Sequence, residues 1–333
     1  MTRFIAGFLF VLAVAAILIV SAGVRFSGTP VDLPTRPFEF TVEKGTSLKA
    51  LSRKLADAGL FSEPYGFWAL GRLTNGATGI QAGRYRLDAP ISPINLLLKL
   101  NNGDVVKETI TFIEGVTFKE MREALEADQR LKATLKGLSA AEVLKKLGAP
   151  EANPEGLFFP DTYQFAAGTS DLDLLRASYQ SMKKKLSEAW ETRAEGLPYR
   201  SPYEALIMAS IIEKETGRAD ERPLIASVFI NRLRLPMRLQ TDPTVIYGMG
   251  ERFDGNIRRR DLTADTPYNT YTRDGLPPSP IAMPGLGSIK AALNPVQSDK
   301  LYFVATKDGD GSHAFSRTLE EHNRAVAKYQ LGR

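Results

Sequence analysis

Tyr203-Glu-Ala-Leu-Ile-Met-Ala-Ser-Ile-Ile-Glu-Lys-Glu-Thr-Gly217 reads as a helix that is apolar nearly all round, the pattern of an element enclosed by a core. Toward its C-terminal end the sequence introduces Glu213. On a 3.6-residue period Ala209 and Ser210 lie one turn before this acid, Thr216 and Gly217 one turn after it, and all four are small. A long acid ringed by small residues predicts the floor of a depression, with the Ser210 and Thr216 hydroxyls beside it. Glu215 lies about 200° round the helix and is expected to point elsewhere. The same residues also fit an acid that closes an ion pair where the helix leaves the core. The helix alone leaves both readings open.

Around this helix the 333 residues are 43% apolar and 24% charged, a balance that supports two or more folded cores. The net charge of +5 is spread along the chain, with only Arg258-Arg259-Arg260 as a short basic run. Nucleic acid is therefore not an expected partner, and an acidic wall polymer or a membrane surface suits the charge equally well. The absence of cysteine excludes disulfides, a thiol nucleophile and thiolate-bound metal. The two histidines, His313 and His322, lack metal-ligand spacing, so no metal is expected. His313, beside a hairpin turn, reads as structural or substrate-lining. No phosphate loop, dinucleotide fingerprint or Gly-x-Ser-x-Gly elbow is present, and no cofactor is expected.

Residues 4–24 form an uninterrupted apolar or small run between Arg3 and Arg25, long enough to span a bilayer and longer than the core of a cleaved signal peptide. The expected organisation is a cytoplasmic tail over 1–3, a transmembrane helix over 4–24 and a proline-containing linker over 25–37. A strand-helix region over 38–150 and a main domain over 151–333 follow, with everything after the anchor exported. A strand, a turn and a capped helix occur twice: Gly45-Thr-Ser47-Leu48-Lys49-Ala-Leu51 aligns without gaps on Gly115-Val-Thr117-Phe118-Lys119-Glu-Met121. Further on, residues 225–233 predict a short helix with Arg232 and Arg234 pointing outward. From there to about Gly287 little regular structure is expected, as is common for functional segments. A hairpin around Asp308-Gly-Asp-Gly311 and a closing helix over 319–329 end the chain.

That irregular stretch concentrates polar groups and aromatics. Gln240, Thr241, Asp242, Thr244 and Tyr247 are followed by Tyr268-Asn269-Thr270-Tyr271. Rings that stack on apolar sugar faces, with amides and hydroxyls to meet sugar hydroxyl groups, are what a carbohydrate site needs. The alternative is a set of turn-forming and buried residues that hold a loop-rich domain together.

Two resemblances extend this reading. Val42, Gly45, Ser47 and Leu48 are similar to the strand-to-helix opening of LysM modules, which bind N-acetylglucosamine polymers. Glu155-Gly-Leu-Phe-Phe-Pro-Asp161-Thr-Tyr163, Ala209-Ser-Ile-Ile-Glu213-Lys-Glu-Thr216 and Val228-Phe-Ile-Asn-Arg232-Leu match in order the motifs of the MltG (YceG-like) family. So do Leu239-Gln-Thr-Asp-Pro-Thr-Val-Ile-Tyr247, Tyr268-Asn-Thr-Tyr271 and Gly275-Leu-Pro-Pro278. That family comprises membrane-anchored endolytic lytic transglycosylases acting on peptidoglycan. The resemblance implies an α+β protein: an N-terminal transmembrane helix, a LysM-like α+β module and a mixed α+β catalytic domain. It places the chain in the bacterial inner membrane with its catalytic domain in the periplasm, near peptidoglycan synthases. It also implies that nascent glycan strands are cut between MurNAc and GlcNAc to leave 1,6-anhydro ends. The family's single catalytic glutamate falls on Glu213. Ser210, Thr216, Gln240, Asp242, Tyr247, Asn269 and Tyr271 are the expected substrate-binding residues. Two other functions compete: a hydrolytic muramidase with Asp242 as its second carboxylate, and a non-catalytic peptidoglycan-binding protein.

Overall fold

The fold, a computed structural model, describes residues 2–332. The chain forms two compact units, one comprising residues up to Thr109 with Gln164–Thr169, the other Ile110–Tyr163 with the remainder from Ser170. The sequence places its main boundary near residue 151. The earlier division arises because the second strand-helix copy packs into the second unit: Gly115 N–H donates to Met283 O at 2.8 Å, and Phe118 N–H to Glu155 Oε1 at 3.0 Å.

In the first unit, α1 (Thr2–Gly28) includes Leu9–Gly28, long and apolar enough to cross a membrane, with its large apolar side chains exposed as far as Val24 and Phe26 packed on the core that follows. Met1 and the side chains of residues 2–6, 8 and 77 lie outside the described residues. Next come β1 (Phe38–Val42), α2 (Leu48–Asp57), α3 (Tyr65–Leu73), β2 (Gly83–Leu87) and α4 (Pro93–Asn102). β1 alternates buried and exposed residues and pairs antiparallel with β2, so Phe38, Phe40 and Val42 meet Tyr85 and Leu87 in one core. The LysM-like residues have local physical roles here. Val42 ends the strand, Gly45 turns the chain at φ 85°, Ser47 Oγ caps α2 by accepting from Ala50 N–H at 3.2 Å, and Leu48 is the first buried helical side chain. Gly115 repeats the turn at φ 82° between β3 (Glu108–Thr111) and α5 (Phe118–Ala127), whose Thr117–Glu120 capping box forms as expected.

The second unit continues through α6 (Ala140–Leu147), β4 (Thr162–Phe165), α7 (Asp171–Glu191), α8 (Pro202–Glu215) and α9 (Arg222–Arg234). Then follow α10 (Asp242–Met249), α11 (Arg259–Thr263), α12 (Leu286–Leu293), the antiparallel pair β5 (Tyr302–Ala305) and β6 (His313–Ser316), and α13 (Leu319–Tyr329). α8 is the central element, packed by α7, α9, α10 and α12. Every residue from Ala205 to Ile212 is buried, and each large apolar side chain there contributes about 1.5–3 kcal/mol through water exclusion. The stretch expected to be irregular holds two short α-helices, α10 and α11, with a 3₁₀ turn over Gly250–Arg252 between them, and α12 begins at its end.

Candidate active site

Ser201 caps α8 from its side chain, Pro202 occupies the first turn, and the helix stops where Thr216 turns extended (φ −145°, ψ 135°). Glu213 and Glu215 therefore both sit in the last turn, on opposite sides of it. Their surroundings differ completely.

On one side, Arg222 Nη2 approaches Glu213 Oε1 at 3.2 Å, and Gly285 N–H donates to Oε2 at 2.8 Å. The carboxylate is 5% exposed, and Arg222 also reaches Glu114 at 3.7 Å. The adjacent Lys214 Nζ donates to Gly115 O at 3.2 Å, and Met283 N–H to Val116 O at 2.8 Å. Glu213 is thus a clasp: its two oxygens fasten α9 and the loop before α12 to the end of α8. A Cβ at Gly285 would lie 1.9 Å from Glu114 Oε1 and would push that carboxylate aside. The depression expected above Glu213 is filled by these partners. Ser210 and Thr216 do not serve it either. Ser210 Oγ donates to Ile207 O at 2.7 Å and accepts from Ile281 N–H at 3.0 Å, while Thr216 Oγ1 accepts from Arg218 N–H at 3.0 Å.

On the other side, Glu215 faces a cavity of about 410 Å³ that is also lined by Gln240, Thr241, Asp242, Tyr271, Tyr302 and His313. Burial pushes the Glu215 carboxyl up to about 7, and the nearby Asp242 charge adds to the push. A hydrogen bond donated by Thr241 Oγ1 and the charges of His313 and Arg232 act against it. Among the described residues no cation lies within ion-pair distance of Glu215.

Non-local contacts build the walls. Arg232, expected to point outward, is only 7% exposed: Nε donates to Leu301 O at 2.7 Å and Nη1 to Leu239 O at 2.6 Å, and the guanidinium lies 5.2 Å from the Tyr302 ring centroid. It ties α9 to β5 and to the segment before α10. That segment carries Gln240 in a left-handed conformation, φ 51°, fixed by its N–H donating to Thr270 O at 3.1 Å. Thr241 N–H donates to Thr270 Oγ1 at 3.1 Å, and Tyr271 O–H to Asp242 Oδ1 at 2.6 Å. Gln240, Asp242 and Tyr271 are therefore assembled as one wall, but around Glu215.

Two expected substrate contacts lie elsewhere. Asn269 is fully buried: its amide donates to Asp261 O, Leu262 O and Ala264 O, and its Oδ1 accepts from Tyr271 N–H at 2.8 Å. It shapes the loop that carries Tyr271. Tyr247 O–H donates to Glu155 Oε2 at 3.1 Å, away from the cavity. Glu155 is a second carboxyl that burial pushes up to about 7, but it is enclosed at 4% exposure and spends its oxygens on Phe118 N–H and Tyr247. Among the described residues no group of three or more His, Asp or Glu has an arrangement suited to a metal ion.

Glu215, Arg232 and Tyr302 line this cavity without having stood out in the sequence as lining residues. A helix apolar nearly all round has no polar stripe from which to set its phase, so small neighbours were a poor guide to which acid meets solvent. The usable signal lay in the polar and aromatic residues from Gln240 to Tyr271, whose carboxylate partner had to be found by folding.

Comparison with known proteins agrees with this architecture. The YceG-like family matches residues 40–328. The endolytic murein transglycosylase of Bacillus subtilis (strain 168) is 36% identical over 274 residues, which cover 76% of this chain and 74% of that protein. The endolytic murein transglycosylase of Streptococcus pneumoniae serotype 2 (strain D39) is 28% identical over 334 residues, 90% of this chain but only 60% of its own length. A crystal structure of a yceG-like protein from Listeria monocytogenes superposes with a TM-score of 0.53 at 31% identity, covering 87% of this chain and 98% of that one. Matched over most of its length in sequence and in fold, this chain belongs to the YceG-like family.

Proposed function

We propose that the protein is an endolytic peptidoglycan lytic transglycosylase and that Glu215, in place of Glu213, transfers the proton. The observation that carries the assignment is the cavity: an enclosed carboxyl held near neutrality, with no ion-pair partner, facing Gln240, Asp242 and Tyr271. A carboxyl titrating near 7 is part protonated at neutral pH, as a general acid requires. Glu213, tied to Arg222 and Gly285, is left a structural task.

In the reaction, Glu215 gives its proton to the oxygen between MurNAc C1 and GlcNAc C4 as that bond breaks. The C6 hydroxyl of the same MurNAc closes on C1, and its proton passes to a base within the site. The nucleophile belongs to the substrate, so a second carboxylate at ordinary glycosidase spacing is unnecessary. Gln240 and Tyr271 supply an amide and a ring for sugar contact, as does Tyr302. The apolar helix α1 suits a single-pass anchor, which would keep the catalytic unit on the periplasmic side beside nascent strands and their synthases.

Asp242 lines the same cavity as Glu215, and this favours the hydrolytic muramidase as the second reading. Mass spectrometry of uncrosslinked glycan strands digested by the full-length protein in detergent separates the two. Fragments ending in 1,6-anhydroMurNAc are expected. Reducing MurNAc ends would establish the hydrolase, and intact strands would leave only a wall-binding role.

A further inference from the structure

The proton released by the C6 hydroxyl needs an acceptor, and the cavity contains a better-built one than a recycled carboxylate. His313 opens β6, and Glu221 precedes α9. They are 92 residues apart in sequence, yet His313 Nδ1 lies 2.7 Å from Glu221 Oε2 and the His313 backbone N–H donates to Oε1 at 2.9 Å. Each side chain is 12% exposed. A carboxylate can only accept, so Nδ1 carries a ring hydrogen, and in the neutral ring this fixes the tautomer whose Nε2 keeps its lone pair. The ring is also fixed by packing, edge-on to Phe303 at 5.5 Å between centroids and 6.3 Å from Phe315. A carboxylate that holds an imidazole in one tautomer and stabilises the cation formed on protonation is a recurring device for general bases. His313 lines the same cavity as Glu215.

The other polar groups of the cavity are less suited. Asp242 already accepts from Tyr271 O–H at 2.6 Å, and Arg232 spends its hydrogens on backbone carbonyls. His322 stacks on Tyr302 at 5.2 Å, and its buried Nδ1 has no partner to fix its tautomer.

We propose that His313, oriented by Glu221, is a second proton-transfer group of this site, whose Nε2 takes the proton of the MurNAc C6 hydroxyl while Glu215 donates its own. The C1–O4 bond breaks with its electron pair on O4, which Glu215 protonates. The O6–C1 bond forms, and the O6 proton moves to Nε2. After release of both products, one proton passes from the imidazolium to the Glu215 carboxylate and resets the site. Glu221 acts through the ring and is a positioning residue.

The inference rests on the reaction proposed above, and its test uses the full-length protein in detergent with uncrosslinked glycan strands. His313→Ala should lower kcat by about 10² or more with KM changed less than about threefold. Added imidazole should restore at least about tenfold of that loss in His313→Ala and none in Glu215→Gln, as expected for a missing base. Glu221→Gln keeps a partner for the ring and removes its charge, and should lower kcat about tenfold. If His313→Ala fails to fold, the Glu221→Gln rate decides, because a structural staple would change stability without a selective loss in kcat. Wild-type kcat in either folded variant, or a His313→Ala defect that imidazole leaves untouched, would overturn the proposal while an inactive Glu215→Gln kept the wider reading. A wild-type protein that never cuts would overturn both.

Discussion

Glu213 and Glu215 are next-but-one neighbours at the end of one helix and have opposite fates. Glu213 is matched at both oxygens, by Arg222 and by Gly285 N–H, and behaves as a fastener between α8, α9 and the loop before α12. Glu215 has a hydroxyl for a partner, negative Asp242 nearby and open space in front of it. Residue type and local helix geometry are the same for both. What separates them is delivered by segments far away in sequence, a guanidinium and an amide to one acid, a cavity to the other. The proposed assignment gives proton chemistry to the acid without an ion-pair partner, because a charge already neutralised by a bonded partner has little to offer a developing transition state.

The comparison breaks most readily through activity. Glu215→Gln is isosteric but cannot transfer a proton, and should lower the cutting rate by about 10² to 10⁴ with circular dichroism unchanged. Glu213→Gln should stay within about tenfold of wild type, since it touches no reacting atom. A reversed ranking would return the donor to Glu213.

Stability should show the opposite order. Glu213→Gln strips Arg222 of its nearest charge and leaves the guanidinium only the longer contact to Glu114. A loss of about 3 kcal/mol in urea unfolding of the second unit is expected. Glu215→Gln should stabilise. A carboxyl raised to about 7 in the fold binds a proton that the unfolded chain has released above its ordinary 4.5. Wild-type stability from this group therefore falls as pH rises from 4.5 to about 7 and stays lower beyond. Removing the carboxyl should raise stability above pH 7 by on the order of 2 kcal/mol and change little near pH 4.5. Equal effects of Glu215→Gln at both pH values would remove the buried-acid description. The smallest effect is expected at the wall: Tyr271→Phe loses one hydrogen bond to Asp242 and should cost about 1 kcal/mol in kcat/KM.

Much of this molecule was legible before folding. The membrane-length run, the β1 strand, the capped start of α5 and the limits of α13 all follow from local chemistry. The proposed site was half legible: Gln240, Asp242 and Tyr271, grouped in the sequence by their polar and aromatic character, line one cavity. Arg232 looks outward-pointing in the sequence because its partners, the carbonyls of Leu301 and Leu239, belong to distant segments. Asn269 and Tyr247 carry the same functional groups as sugar-binding residues, and only the fold shows that those groups are spent on backbone and on Glu155. His313 is legible as structural or substrate-lining beside its hairpin, but its pairing with Glu221, 92 residues away, has no local signal.

The most direct measurement is the initial rate of cutting of uncrosslinked glycan strands against pH, for wild type and for Glu213→Gln. With protonated Glu215 as the donor, the rate should fall in both as pH rises through about 7, by about tenfold per unit beyond it. A rate that stays level up to about pH 9, or a fall that vanishes in Glu213→Gln, would contradict Glu215 as the donor.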